Sequence, residues 1–162
     1  MNIFVTHFNP AKCAAVLDDK RVVKMVLESA QLLCTALWIN SSYLAIPYKP
    51  THVNHPCSIW VRSNGTNYLW LVSHFEALLV EYRTRYGKEH ACQKHLDFFK
   101  RNYHLFPFDK PSEGYVNCTP YKDMGVYEAY KLTLIQKWTS DKRKPTWNKV
   151  KRTDFQTILS YQ

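Results

Sequence analysis

Glycine is scarce in this chain, four residues among 162, and no two stand close enough to build a Gly-rich phosphate loop. Gly-x-Ser-x-Gly and His-Glu-x-x-His are missing as well, so nothing supports nucleotide hydrolysis, a serine esterase or a zinc protease. The five cysteines, Cys13, Cys34, Cys57, Cys92 and Cys118, are odd in number, widely spread and never arranged as Cys-x-x-Cys. They fit reduced thiols in a cytosol rather than a disulfide framework. Histidine and cysteine approach one another twice, as His52-x-x-His55-x-Cys57 and His90-x-Cys92-x-x-His95. Neither cluster has the two tight pairs of a finger or ribbon, so no metal and no cofactor is expected. No apolar run approaches the roughly twenty residues that span a bilayer, and the first residues lack the charged and apolar regions of a signal peptide. The expectation is a soluble, cytoplasmic protein without a membrane partner.

Acidic residues are the other shortage. Thirteen Asp and Glu against twenty-two Lys and Arg leave a formal charge of +9, which concentrates polyanions around the molecule and speeds their encounter. A phosphate backbone rewards such a surface through counterion release, so DNA is the expected partner. With 46% apolar and 15% aromatic residues, the chain has enough material for one core, and one domain over 1–162, acting as a monomer, is expected.

The periodicity predicts an all-α fold: a bundle of two long helices plus shorter ones, with irregular loops and a basic aromatic tail. After a short extended segment, residues 1–9, Asn9-Pro10 reads as a capped helix start, and one helix is expected to run to about Trp38. His55-Pro56 opens a second helix, and Asn64-Gly65 marks a bend. From Thr66 to Tyr86 apolar residues recur at helical spacing, with Gly87 placed to cap the end. A helix over about Glu89 to Arg101, a Pro-rich ordered loop from Asn102 to Gly125, and a last helix from Val126 to Trp138 follow. The tail, 140–162, is the most basic part of the chain.

Around Asp19, a wheel at ~100° per residue gathers Lys20, Arg21, Lys24, Glu28, Gln31 and Thr35 on one side. Val22, Val23, Val26, Leu27, Leu33 and Leu37 are among those filling the other. One carboxylate, Glu28, thus stands among three cations, in register for an ordinary ion pair with Lys24 four residues earlier or for a reactive site. Further along, Arg62, Arg83, Arg85 and Lys88 mix with aromatics, as do Lys144 and Lys149 around Trp147, and with Lys20, Arg21 and His55 they are the expected DNA contacts. Cations to hold phosphates and rings to stack on bases are what a DNA site needs, and Trp147, flanked by charge, is the aromatic expected to be exposed or half-exposed.

These residues resemble the phage endonuclease V family of pyrimidine-dimer DNA glycosylases, in which an acid on the first long helix precedes the catalytic glutamate by nine positions, as Asp19 precedes Glu28. Pro145-Thr146-Trp147, Thr6-His7 and Asn54-His55-Pro56 are similar to family segments too. The chain also resembles short phage proteins carrying Asp-Lys-x-Val-Val-Lys-Met and Asn-His-Pro-Cys-x-x-Trp, found here from Asp19 and Asn54. The glycosylase resemblance implies that a processed N-terminal α-amine, here on Met1 or Asn2, attacks the sugar while Glu28 stabilises charge and moves protons. It further implies β-elimination at the resulting abasic site. The family's arginines beside its glutamate correspond here to Leu27 and Gln31, and its histidine two positions after the acid to Arg21. The cations lie instead at Lys20, Arg21 and Lys24, which makes Lys20 and Lys24 alternative amines. A base-hypermodifying phage enzyme of the same fold, or a non-catalytic nucleic-acid-binding phage protein, are the rival readings.

Overall fold

Two helices of equal length carry the core, α2 over Asp19–Asn40 and α4 over Gly65–Tyr86, in a computed structural model that describes residues 2–42 and 44–151. Around them stand α1 (Pro10–Val16), α3 (Pro56–Ser63), α5 (Leu96–Arg101) and α6 (Val126–Ser140), with 3₁₀ turns at Ala91–His95 and Tyr103–Leu105. The described residues contain no strand, so the fold is all-α. The α4 helix packs against α1, α2 and α3, and α2 also supports α3. Leu33 and Leu37 of α2 and Tyr68, Leu71, Phe75 and Leu78 of α4 are fully buried. Among the described residues α2 would pass for a membrane span by length and composition, yet most of it is buried inside the protein.

Local chemistry explains where the elements start. Asn9 Oδ1 accepts the Ala11 N–H at 2.9 Å with Pro10 at the first helical position, as its missing donor allows. His55 Nδ1 does the same for Cys57 N–H at 3.1 Å, and Asn64, which ends α3, accepts the Asn67 N–H at 2.9 Å to start α4. Gly87 closes α4 in the left-handed conformation, φ 69°, which a side chain would disfavour.

The helix expected from Asn9 to Trp38 is broken in two. Leu17 and Asp18 are extended, and the pull comes from far along the chain: Trp138 Nε1 donates to Asp18 Oδ1 at 2.7 Å, and Asp19 N–H to Thr146 O at 2.9 Å. Apolar periodicity runs through the break unchanged, so it carries no trace of it. The expected Glu89 helix is likewise divided, into the 3₁₀ turn that His90 Nδ1 caps by accepting the Cys92 N–H at 3.0 Å and α5. The Pro-rich loop is ordered as expected: Trp60 Nε1 donates to Gly114 O at 2.6 Å, Ser112 Oγ to Asn67 Oδ1 at 2.7 Å, and Tyr130 Oη to Val116 O at 3.0 Å.

One core group is held neutral. His74, fully buried and stacked on Trp70, meets Pro10 O through Nδ1 at 3.0 Å, and its Nε2 has no hydrogen-bond partner among the described residues. Burial lowers its pKa to about 4. Below pH ~6.5 the unfolded chain takes up this proton first, so stability present at neutral pH is lost as the pH falls toward the folded value. We expect the wild type to lose about 2 kcal/mol more than His74→Gln between pH 7 and pH 5 in urea titrations. Equal losses in the two proteins would refute this.

Candidate active site and nucleic-acid face

Over its first turns α2 exposes Lys20, Val23, Lys24 and Leu27, with Glu28 and Gln31 partly covered beside them, and at its far end Trp38 and Ile39. That face is rotated from the expected stripe toward Val23 and Leu27. Arg21 and Thr35 turn inward: Arg21 Nη1 donates to Asp18 Oδ1 at 3.0 Å and Asp141 Oδ2 at 2.9 Å, and Thr35 Oγ1 to Thr51 O at 3.2 Å. Arg21 is therefore a structural cation and not part of a DNA surface. Its carboxylate partners draw a guanidinium below the helix surface because a buried charge must be paired.

Glu28 lies at the edge of this face. Its side chain is 15% exposed, against 66% for Lys24, whose Nζ stands 3.5 Å from Glu28 Oε1. A carboxylate that is largely covered yet within reach of a solvent-exposed ammonium suits a group that must act on a bound molecule. On the neighbouring element, burial holds the His55 imidazole below its ordinary value; the charge of His52 acts the same way, and Glu28 opposes them. His52 itself is in the left-handed region, φ 49°, at the turn that leads into α3.

The N-terminal segment enters the same region. Ile3, Phe4 and Val5 are buried, and Asn2, half-buried, accepts the Ile3 N–H through Oδ1 at 2.8 Å. Phe4 adopts φ 57°, uncommon for an aromatic residue, so the segment bends rather than running straight as the sequence suggests. Its ring meets Tyr130 edge-on at 6.3 Å; Tyr130 Oη accepts Cys118 N–H at 3.2 Å, and Cys118 Sγ touches Cys57 Sγ at 3.4 Å, next to His55. Met1 lies outside the described residues.

The remaining cations divide clearly. Arg83, Lys88, Lys144 and Lys149 are exposed, and Lys20 and Lys144 line one cleft of about 250 Å³ together with Asp19, Tyr86 and Thr146. Arg85, expected on the DNA surface, has a side chain with no exposure: Nη1 reaches Leu17 O at 2.6 Å and Asp19 Oδ1 at 3.2 Å, and Nη2 reaches Glu81 Oε2 at 2.9 Å. Arg62 is half-buried and donates to Val53 O at 2.7 Å, holding the loop before α3. Trp147 is half-buried, its Nε1 donating to Val16 O at 3.0 Å and its ring set edge-on to Trp138 at 5.1 Å. These residues fasten the scaffold that presents the face.

Asp19 belongs with them. Nine residues at ~100° each place it half a turn away from Glu28, on the far side of α2. There it accepts Thr146 Oγ1 at 2.7 Å and Asn148 N–H at 3.1 Å besides Arg85, so the acid and the Pro-Thr-Trp segment that the sequence singles out form one tail anchor. Asp141, the partner of both Arg21 and Lys20, was not distinguishable in the sequence. Cys118 was not either, since it is 61 positions from the thiol it touches.

A family model described as pyrimidine dimer DNA glycosylase matches residues 1–94, a span that holds α1 to α4, Lys24, Glu28 and His55 but not the tail. No curated protein and no solved structure gives a significant match to the chain. The matched span is 94 of 162 residues, and the chain belongs to the pyrimidine dimer DNA glycosylase family.

Proposed function

We propose that this protein removes a damaged or modified pyrimidine from DNA and cleaves the strand at the site it leaves, using an amine as nucleophile and Glu28 as charge stabiliser and proton carrier. The observation that carries the reading is the covered Glu28 carboxylate 3.5 Å from the exposed Lys24 ammonium, on a cationic helix face inside the segment that matches the family. The neutral amine donates its electron pair to the C1′ carbon, and the C1′–N bond breaks with its pair leaving on the base, which takes a proton. Opening of the sugar gives an imine; loss of a C2′ proton then expels the 3′ phosphate. A carboxylate beside C1′ favours the cationic character of each step and supplies a base for the proton. The amine is the N-terminal α-amine of Met1 or Asn2, or the Lys24 side chain with Lys20 as its neighbour.

Borohydride reduction tests this on DNA bearing an abasic site or ultraviolet-induced dimers. A reduced imine should join protein and DNA, and peptide mapping of the adduct should place the mass on the N-terminal peptide or on the one holding Lys24. Absence of any adduct on both substrates would remove the amine mechanism.

The exposed and buried cations separate in a binding experiment. Lys20→Ala and Lys144→Ala should each weaken duplex binding and lower the slope of log K against log salt by about 1, as expected for one lost phosphate contact. Unchanged slopes in both variants would place the DNA on another face.

A further inference from the structure

We propose that His55, Cys57 and Cys118 form a binding site for a thiophilic divalent cation, zinc by its chemistry, with three protein ligands and a fourth position open to solvent. The site stands independently of the role given to Glu28. One nitrogen of His55 and the sulfurs of Cys57 and Cys118 all lie within 4.8 Å of one another. Linear spacing hides the set, because Cys118 comes from the Pro-rich loop while His55 and Cys57 flank Pro56 at the start of α3.

The donors suit the ion. Two thiolates and an imidazole are a zinc ligand set, and three protein ligands with one exchangeable position is the arrangement of reactive rather than closed sites. Tetrahedral zinc with bonds near 2.3 Å would hold two sulfurs about 3.8 Å apart. The sulfurs are 3.4 Å apart here, so loading asks only a small separation. Cys57 is fully buried, whereas His55 and Cys118 are partly exposed, which leaves the open position on the solvent side.

All three donors stand on anchored backbone. Cys57 occupies the first turn of α3. Tyr130 Oη holds Cys118 N–H at 3.2 Å, and Asn117 Oδ1 holds Thr119 N–H at 2.9 Å on its other side. The His55 Nδ1 lone pair now serves the α3 cap. Metal on Nδ1 would take that lone pair, and metal on Nε2 would require a proton on Nδ1. Either way, loading exchanges the cap hydrogen bond for a metal bond. A disulfide between the two sulfurs would need an external oxidant and would leave the imidazole without a part.

Cobalt(II) makes the site visible. Protein purified under reductant, stripped with chelator and titrated with cobalt should bind one equivalent, with a near-ultraviolet thiolate-to-cobalt band and visible bands of a tetrahedral ion that zinc then removes. Cys118→Ser and His55→Asn, the latter keeping a side-chain cap for α3, should lower zinc affinity more than about 100-fold, beyond the range of losses from outer-shell groups. Cys57→Ser should do the same, and Cys92→Ser should change nothing. Circular dichroism of the stripped proteins shows which variants fold, and Cys118→Ser, at a partly exposed loop position, carries the test if Cys57→Ser does not. Lack of a thiolate band, a band that persists in Cys118→Ser, or a two-hydrogen mass loss without metal uptake would each overturn the site.

Discussion

Glu28→Gln should keep its stability and its hold on DNA while losing about 10²- to 10⁴-fold in the rate of base release, the range attributable to one positioned acid–base group. The reason the two properties separate is local. The ion pair that the substitution removes has a largely exposed Lys24 on one side, and such pairs contribute only a few tenths of a kcal/mol. Glutamine fills the same space, and the face gains a net positive charge, so duplex affinity should hold or rise slightly. Lost activity with unchanged melting temperature and binding is thus the expected pattern on pyrimidine-damaged DNA, measured as single-turnover release of the base. A variant within threefold of wild type would make Glu28 an ordinary surface partner of Lys24, and the chemistry would have to be sought elsewhere. The same variant should also yield less of the borohydride adduct, since in the proposed mechanism the carboxylate assists the step that forms the imine.

Much of this arrangement is legible before any coordinates, and what is not has identifiable causes. Caps and periodicity are local, which is why Asn9, His55 and Gly87 mark helix ends in the sequence where they do in the structure, and why the bend read at Asn64-Gly65 falls where α3 gives way to α4. The break at Leu17 and Asp18 is not local: it is held by Trp138 and Thr146, more than 100 positions away, and the apolar pattern that reads as one long helix is satisfied equally by two. Charge misleads for a related reason. Arg21 and Arg85 look like surface cations because the near partners, Asp18 and Glu81, read as ordinary helix-spaced ion pairs, while the carboxylates that complete their burial, Asp141 and Asp19, lie 120 and 66 positions away. Val23 and Leu27 are exposed for the complementary reason: once Arg21 is drawn in, the solvent side of α2 rotates toward them. At the site, Glu28 and Lys24 are four residues apart on one helix and so are readable together, whereas the meeting of Cys118 with Cys57 and His55 depends on how a proline-rich loop crosses α3.

Arg85→Met should cost about 3–5 kcal/mol, because it leaves Asp19 nearly buried without its cation. With about 2–4 °C per kcal/mol for a domain of this size, the melting temperature should fall by roughly 6–20 °C. The loss is larger than a charge pair alone would give: the same guanidinium also donates to Leu17 O at 2.6 Å and to Ala15 O at 3.2 Å at the end of α1, and methionine supplies neither hydrogen bond. Asp19→Asn should be milder, since an amide oxygen still accepts from Thr146 Oγ1 and Asn148 N–H. A fall below about 1 kcal/mol for Arg85→Met would mean that Asp19 is reached by water and that the pair is a surface one. The consequence for function follows from what Asp19 holds. It ties Thr146 and Asn148 to α2, which sets Lys144 beside Lys20 around one cleft. Loosening the anchor should therefore weaken DNA binding through the tail cations, while any Glu28 chemistry on the opposite side of α2 keeps its own groups in place.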